Sequence, residues 1–225
     1  VFIVVAVAVG ALTVVLAIAL FGGKGKHLPH VGSSLLARDL ASRVTLTPSD
    51  WGPGFAEDNP YEDLDMNEGV ADHNCKYVRE PTVGALAVLA RNVKSTDEVV
   101  YDSSTFTVYQ GAIFAQSDMV RTREDAQRCK TERDAETKVR WEDVHTVDMP
   151  TPKGFDDVVA EEGRQVTDEK GRKVDVYYTF LVGRKDAFVM QSYVSRYGTQ
   201  VGNRSDAVNA LSLMLSRLYS APAEG

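Results

Sequence analysis

The sequence predicts an α+β chain: one N-terminal transmembrane helix, then an antiparallel sheet with helices packed on one face. Three observations carry this. Residues 1–22 form an uncharged apolar run whose only hydroxyl is Thr13. The second half alternates in stretches rich in β-formers, such as KVDVYYTFLVG and DAFVMQSYVSRYG. The last 20 residues place Val208, Leu211, Leu215 and Leu218 on one helical face.

About 20 apolar residues at 1.5 Å each cross a hydrocarbon core of roughly 30 Å. The run at 1–22 is therefore expected to span a membrane. A signal peptide has a shorter apolar region of about 7–15 residues and a small-residue cleavage site. LAIALFGG offers no A-x-A site, and no cysteine follows to make a lipobox. The chain starts at Val1 inside the run, so a cytoplasmic segment is expected before it. Lys24 and Lys26 alone would put the following side in the cytoplasm, against the orientation preferred below. Ala6, Ala8, Gly10 and Ala11 give the span small residues for close helix packing.

Residues 23–32 (GKGKHLPH at their core) read as a flexible juxtamembrane linker, 33–220 as the folded domain, and 221–225 as a tail. Ser33 or Ser34 caps a helix, LLARDLASRV, with Leu36, Leu40 and Val44 on one face. Pro48 suits the first position of a further helical turn, which ends at Trp51-Gly52-Pro53-Gly54-Phe55. Residues 55–72 hold seven acidic and no basic side chains and read as a solvated loop. Strands are expected near 82–93 and at 105–110. A charged amphipathic helix from Ser117 to about Thr131 carries Met119, Val120, Ala126 and Cys129. A strand follows at 139–147. Residues 155–166 and 173–183 then form a hairpin about the turn TDEKGR, with Gly171 at positive φ. A strand at 186–198 and a helix capped by Ser205 close the chain. The sum is five or six strands.

The formal charge is −7. Such a chain does not bind nucleic acid by counterion release. Cys75 and Cys129 are the only cysteines. They are either one disulfide, as suits an extracytoplasmic compartment, or two unrelated buried thiols. No C-x-x-C, G-x-S-x-G, H-E-x-x-H or P-loop motif occurs. Of the four histidines, His27 and His30 lie in the linker, His73 stands beside Cys75, and His145 falls in a strand with a structural role. Asp63, Asp65 and Asn67 alternate as in half an EF-hand, but Gly69 comes one position late and the twelfth residue is Asn74. No catalytic residue, cofactor or metal is therefore assigned. The acidic loop 57–72 is a candidate docking surface for a basic partner. NRS at 203–205 fits a glycosylation sequon but is better read as the start of the last helix.

The opening LLARDL…LTPSDWGPGF, Cys75 before the first long strand, Cys129 late in a helix and the closing SDAVNALSLMLSRL together resemble the extracytoplasmic sensor-type domains of actinobacteria. These domains occur in membrane-anchored Ser/Thr protein kinases and related envelope proteins. The likeness covers most of 33–219. It implies an outward-facing domain and a Cys75–Cys129 disulfide, and it implies no ligand.

Two functions are expected from these features. One is a non-catalytic accessory or assembly subunit of a larger membrane complex, held by other integral subunits through the span, with an actinobacterial respiratory cytochrome supercomplex as one host. The other is the ligand-sensing outer half of a receptor-type Ser/Thr protein kinase or related envelope protein.

Overall fold

The computed structural model describes residues 27–134, 137–149, 151–169 and 172–222. The expected span with Ala6, Ala8, Gly10 and Ala11 lies outside the described residues, as do Gly171 of the hairpin turn and the last three residues of the tail. Among the described residues no helix is long and apolar enough to cross a membrane.

The chain runs α1 (Ser34–Val44), α2 (Pro48–Trp51), β1 (Phe55–Asp63), β2 (Asn67–Ala71), β3 (Lys76–Pro81), β4 (Ala85–Ser95) and β5 (Val100–Tyr109). It continues through α3 (Ala112–Arg128), β6 (Thr131–Asp134), β7 (Arg140–Thr146), β8 (Asp157–Glu169), β9 (Arg172–Lys185), β10 (Phe188–Tyr197) and α4 (Asn203–Ser220). The strands make one ten-stranded sheet in the order β1-β4-β5-β10-β9-β8-β7-β6-β3-β2. The expectation of five or six strands falls short, because short charged strands at both edges escape a search for apolar runs. The sheet is also mixed. All its pairs are antiparallel except β3 with β6, which meet in parallel through Lys76↔Arg133 and Tyr77↔Asp134.

The acidic stretch 55–72 is the clearest correction. It is not a loop: it contains β1 and β2, the two edge strands. An edge strand pairs on one side only and leaves most side chains in water, so charge and proline are tolerated there and deter pairing with other chains. Pro60 sits where the β1–β4 register shifts, between Glu57 and Glu62.

Strand alternation builds the main core. Phe106 and Val108 of β5, Leu181 of β9 and Phe188, Met190 and Val194 of β10 point to one face. On it lie Ala37, Leu40, Ala41 and Val44 of α1 and Ala207, Ala210, Leu211, Met214, Leu215 and Leu218 of α4. Ser33 caps α1, its hydroxyl accepting from the Leu36 amide, as the sequence indicates. Arg91, 7% exposed, donates to the Thr45 carbonyl at 2.8 Å and to that of Ser42, so it satisfies the carbonyl end of α1. The described end of the linker is seated too, since Leu28 and Val31 pack on this core.

The last helix starts at Asn203, two residues before the expected cap, with Gly202 as N-cap. Asn203 is fully buried. It donates to the Tyr177 carbonyl at 2.9 Å and accepts from Arg196. The sequon asparagine is thus a packing residue. Helix α3 begins five residues earlier than expected and stops at Arg128, because Cys129 turns the chain toward β6. Met119 and Ala126 are buried, while Val120 is exposed. Met119 and Ala115 pack with Val159, Val182 and Val189, residues of opposite parity to the main core. Helix α3 therefore covers part of the other face of the curled sheet.

Candidate functional site: an aromatic and acidic cleft

The rest of that other face is open. Beside α3 it forms a cleft of about 400 Å³. The floor comes from the same strands that build the core, read one residue out of phase: Thr105 and Thr107 of β5, Gln191 and Tyr193 of β10, and Tyr178 and Phe180 of β9. Hydroxyls and aromatic rings replace aliphatic side chains because this face is not covered.

Two glycines make room for the rings. Gly163 of β8 pairs with Tyr178, and a methyl added there would come within 2.8 Å of the Tyr178 hydroxyl. Gly69 of β2 lies under the Tyr77 ring in the same way. Tyr77 in turn meets Trp141 with ring centroids 5.3 Å apart, and Tyr178 stacks on Tyr193 at 5.2 Å.

One wall is the β2–β3 hairpin. It joins the sheet by the two parallel pairs to β6, a weak attachment for eleven strand residues. Besides the Ala71 amide, which donates to Asp125 at 3.3 Å, three links to α3 compensate. The first is the Cys75–Cys129 disulfide, 54 residues apart in sequence. The second is Arg128, which donates to the carbonyls of Ala71 at 2.8 Å and Asp72 at 2.6 Å. The third is Arg121, which pairs with Glu68 of β2 and also with Asp118 at 2.6 Å. Asp118, 6% exposed, also accepts the Tyr109 hydroxyl at 2.7 Å, so this network reaches back to β5. The pairing of the two cysteines implied by the family resemblance is therefore present, and it fixes a wall of the cleft.

The cleft is acidic. Six carboxylates and two guanidiniums line it. Arg79 holds Asp65 at 3.0 Å and Asp63 at 3.8 Å at one end. Asp125 pairs with Arg128 at 2.6 Å. Glu161 accepts the Tyr178 hydroxyl at 2.7 Å. Glu132 stands opposite Trp141 across the β6–β7 pair, and among the described residues no hydrogen bond or ion pair holds it. Burial, with the nearby charges of Glu161 and Asp125, pushes the Glu132 carboxyl up to about 7. Burial also raises Glu161 and, despite Arg121, Glu68.

The acidic stretch 57–72, expected as a docking surface for a basic partner, contributes Asp63, Asp65 and Glu68 to the cleft. Asp63 and Asp65 are engaged locally, Asp63 accepting from the Asp65 amide and Asp65 from that of Asn67. Among the described residues no group of three His, Cys, Asp or Glu side chains could hold a metal ion. His145 is exposed, its ring 2.7 Å from the Asp143 carbonyl. Sequence reading missed the cleft itself. The alternation in β5, β9 and β10 is visible in the sequence, but nothing local shows that its polar face lines a cleft.

No protein-family model matches the sequence, and no curated protein does. Solved structures do. The extracellular domain of PknH from Mycobacterium tuberculosis superposes with a TM-score of 0.58 at 11% identity, over 88% of this chain and 100% of that one. A putative uncharacterized protein, the Rv0999 ortholog from Mycobacterium smegmatis, gives a TM-score of 0.42 at 13% identity, over 75% of this chain and 90% of that one. The PknH likeness lends no support to an accessory subunit of a respiratory complex. It places the resemblance to actinobacterial extracytoplasmic sensor-like domains, first read from the sequence, at the level of the fold.

Proposed function

We propose that this chain is an extracytoplasmic sensor domain whose cleft binds a small ligand. The single observation that carries the reading is the cleft. A sheet that packs α1 and α4 tightly on one face leaves the other open beside α3, lined by rings, hydroxyls and six carboxylates, two of them without a cationic partner among the described residues. A pocket of that size, with a few convergent polar groups and perturbed carboxyls, is the usual form of a small-molecule site. The fold likeness to an extracellular domain supports the compartment, as does a disulfide that closes a long loop. The domain is read as non-catalytic and as tethered by the apolar run at 1–22.

The test is a thermal-shift screen of the full chain against a panel of small polar molecules: amines, sugars, amino acids and short peptides. Binding compounds are expected to raise the melting temperature. A Thr105→Trp variant, which fills the floor of the cleft, is expected to lose every such shift while keeping its own transition. Compounds that stabilise the wild type and Thr105→Trp equally would contradict the reading.

A further inference from the structure

The distribution of charge in the cleft says what kind of ligand it suits; the inference rests on the sensor reading above. Each lining carboxylate can be matched to a cation, except two. Asp63 and Asp65 have Arg79, Glu68 has Arg121, and Asp125 has Arg128. Glu132 and Glu161 have no cationic partner within ion-pair distance among the described residues. Both stand among rings: Glu132 opposite Trp141, which touches Tyr77, and Glu161 under the hydroxyl of Tyr178. Carboxylates beside aromatic faces are the surroundings that favour an organic cation, because ring quadrupoles and carboxylates both attract positive charge. A bare metal ion is a poor fit, since among the described residues no three ligating side chains converge.

A separate observation also points to a missing ligand group. Thr82 lines the same cleft, is 8% exposed, and its hydroxyl has no hydrogen-bond partner among the described residues. A buried hydroxyl left unpaired is costly, and a polar group on a bound molecule would satisfy it.

We propose that the ligand carries a protonated or quaternary amine, seated beside Glu132 and Glu161 against the rings of Tyr77, Trp141 and Tyr178. The positive charge replaces the countercharge that the protein itself withholds. Binding weakens as pH falls, because Glu132 gains a proton as pH passes below about 7 and the ligand then loses a partner. The charges facing Glu132 are Glu161, Asp125 and Arg128. Those facing Glu161 are Asp125, His145 and Lys130, besides the Tyr178 hydroxyl.

The experiment titrates the full chain with 2-phenylethylammonium chloride and, separately, with its neutral counterpart 2-phenylethanol, followed by NMR at pH 8 and pH 6. The amine is expected to shift the Trp141 indole resonance saturably and to bind at least tenfold more tightly than the alcohol. Affinity should drop severalfold at pH 6. Glu132→Gln should lose at least tenfold in amine affinity, and the pH effect with it, while its spectrum elsewhere is unchanged. Glu161→Gln, which keeps an acceptor for Tyr178, serves as the second variant and should also weaken the amine. Equal binding of alcohol and amine, or full amine affinity in both variants, overturns the cation inference and leaves the cleft reading standing. The same holds if only neutral members of the panel shift cleft resonances. If no compound of any class shifts them, both fall.

Discussion

Asp102 shows how a single buried side chain sets a cost that the sequence does not display. It lies on β5, 3% exposed, with one carboxylate oxygen unpartnered among the described residues. Burial pushes its carboxyl up to about 7, and Arg196 only partly offsets this. An acid raised on folding contributes stability that is present below its unfolded pKa, near 4, and is lost as pH rises through about 7. Asp102→Asn should therefore stabilise the chain at pH 8, by as much as roughly 3 kcal/mol, and change little at pH 4; urea melts at the two pH values measure this. Gly163 carries a different constraint. Gly163→Ala forces the Tyr178 ring off its seat, so the Tyr178–Tyr193 stack and the Glu161 hydrogen bond move together. The expected result is a loss of about 1–3 kcal/mol, with a change in near-ultraviolet circular dichroism from the tyrosines. Neither role is legible in the sequence. Asp102 looks like any strand carboxylate, and Gly163 like a bulge, until the ring above it is seen.

At the scale of elements, the β2–β3 hairpin and the start of α4 behave differently. The hairpin holds to the sheet by two residue pairs and to α3 by the disulfide. Closing a loop of this length is worth about 4 kcal/mol in the chain-entropy model. The Cys75→Ser, Cys129→Ser double variant should lose stability of that order. Its earliest loss should be local, so amide exchange in 67–81 should accelerate more than in β9 or β10. Helix α4 is fastened by Arg204, which donates twice to Glu162 of β8, at 2.6 and 2.8 Å. Glu162 is buried, yet its carboxyl is lowered, because the bonds from Arg204 and Thr179 outweigh desolvation. Arg204→Met leaves that charge unpaired and should cost roughly 2–3 kcal/mol at pH 7. The deficit should shrink on acidification, as Glu162 protonates. Elements with a strong period were legible from the sequence: α1 with its Ser33 cap, the face of α4, and the strands of the β8–β9 hairpin. The edge strands were not, because charge in a one-sided strand looks the same as charge in a loop. The start of α4 was misplaced because Ser205 resembles a cap, whereas Gly202 does the turning.

For the whole molecule, the two faces of one sheet divide the work. One face is sealed by α1 and α4; the other keeps a cleft bounded by α3 and the stapled hairpin. Its lining is drawn from strands between β1 and β10 and from α3, positions scattered over more than a hundred residues, so no local pattern announces it. The raised carboxyls of Asp102 and Glu132 and the lowered ones of Asp156 and Glu162 together set the pH response. The raised group loses stability as pH climbs to about 7, and the lowered group loses it as pH falls below about 4. Thermal stability should therefore peak near pH 5 and decline toward pH 8, with Asp102→Asn flattening the decline.

The central claim is that the open face of the sheet is where a ligand binds. Chemical-shift mapping of the full chain with any compound that raises its melting temperature tests this most directly. The perturbed amides are expected to cluster on Thr105, Gln191, Tyr193 and Glu132, with α1 and α4 silent. Perturbations confined to the helical face, or to the exposed ends of the sheet, would contradict it.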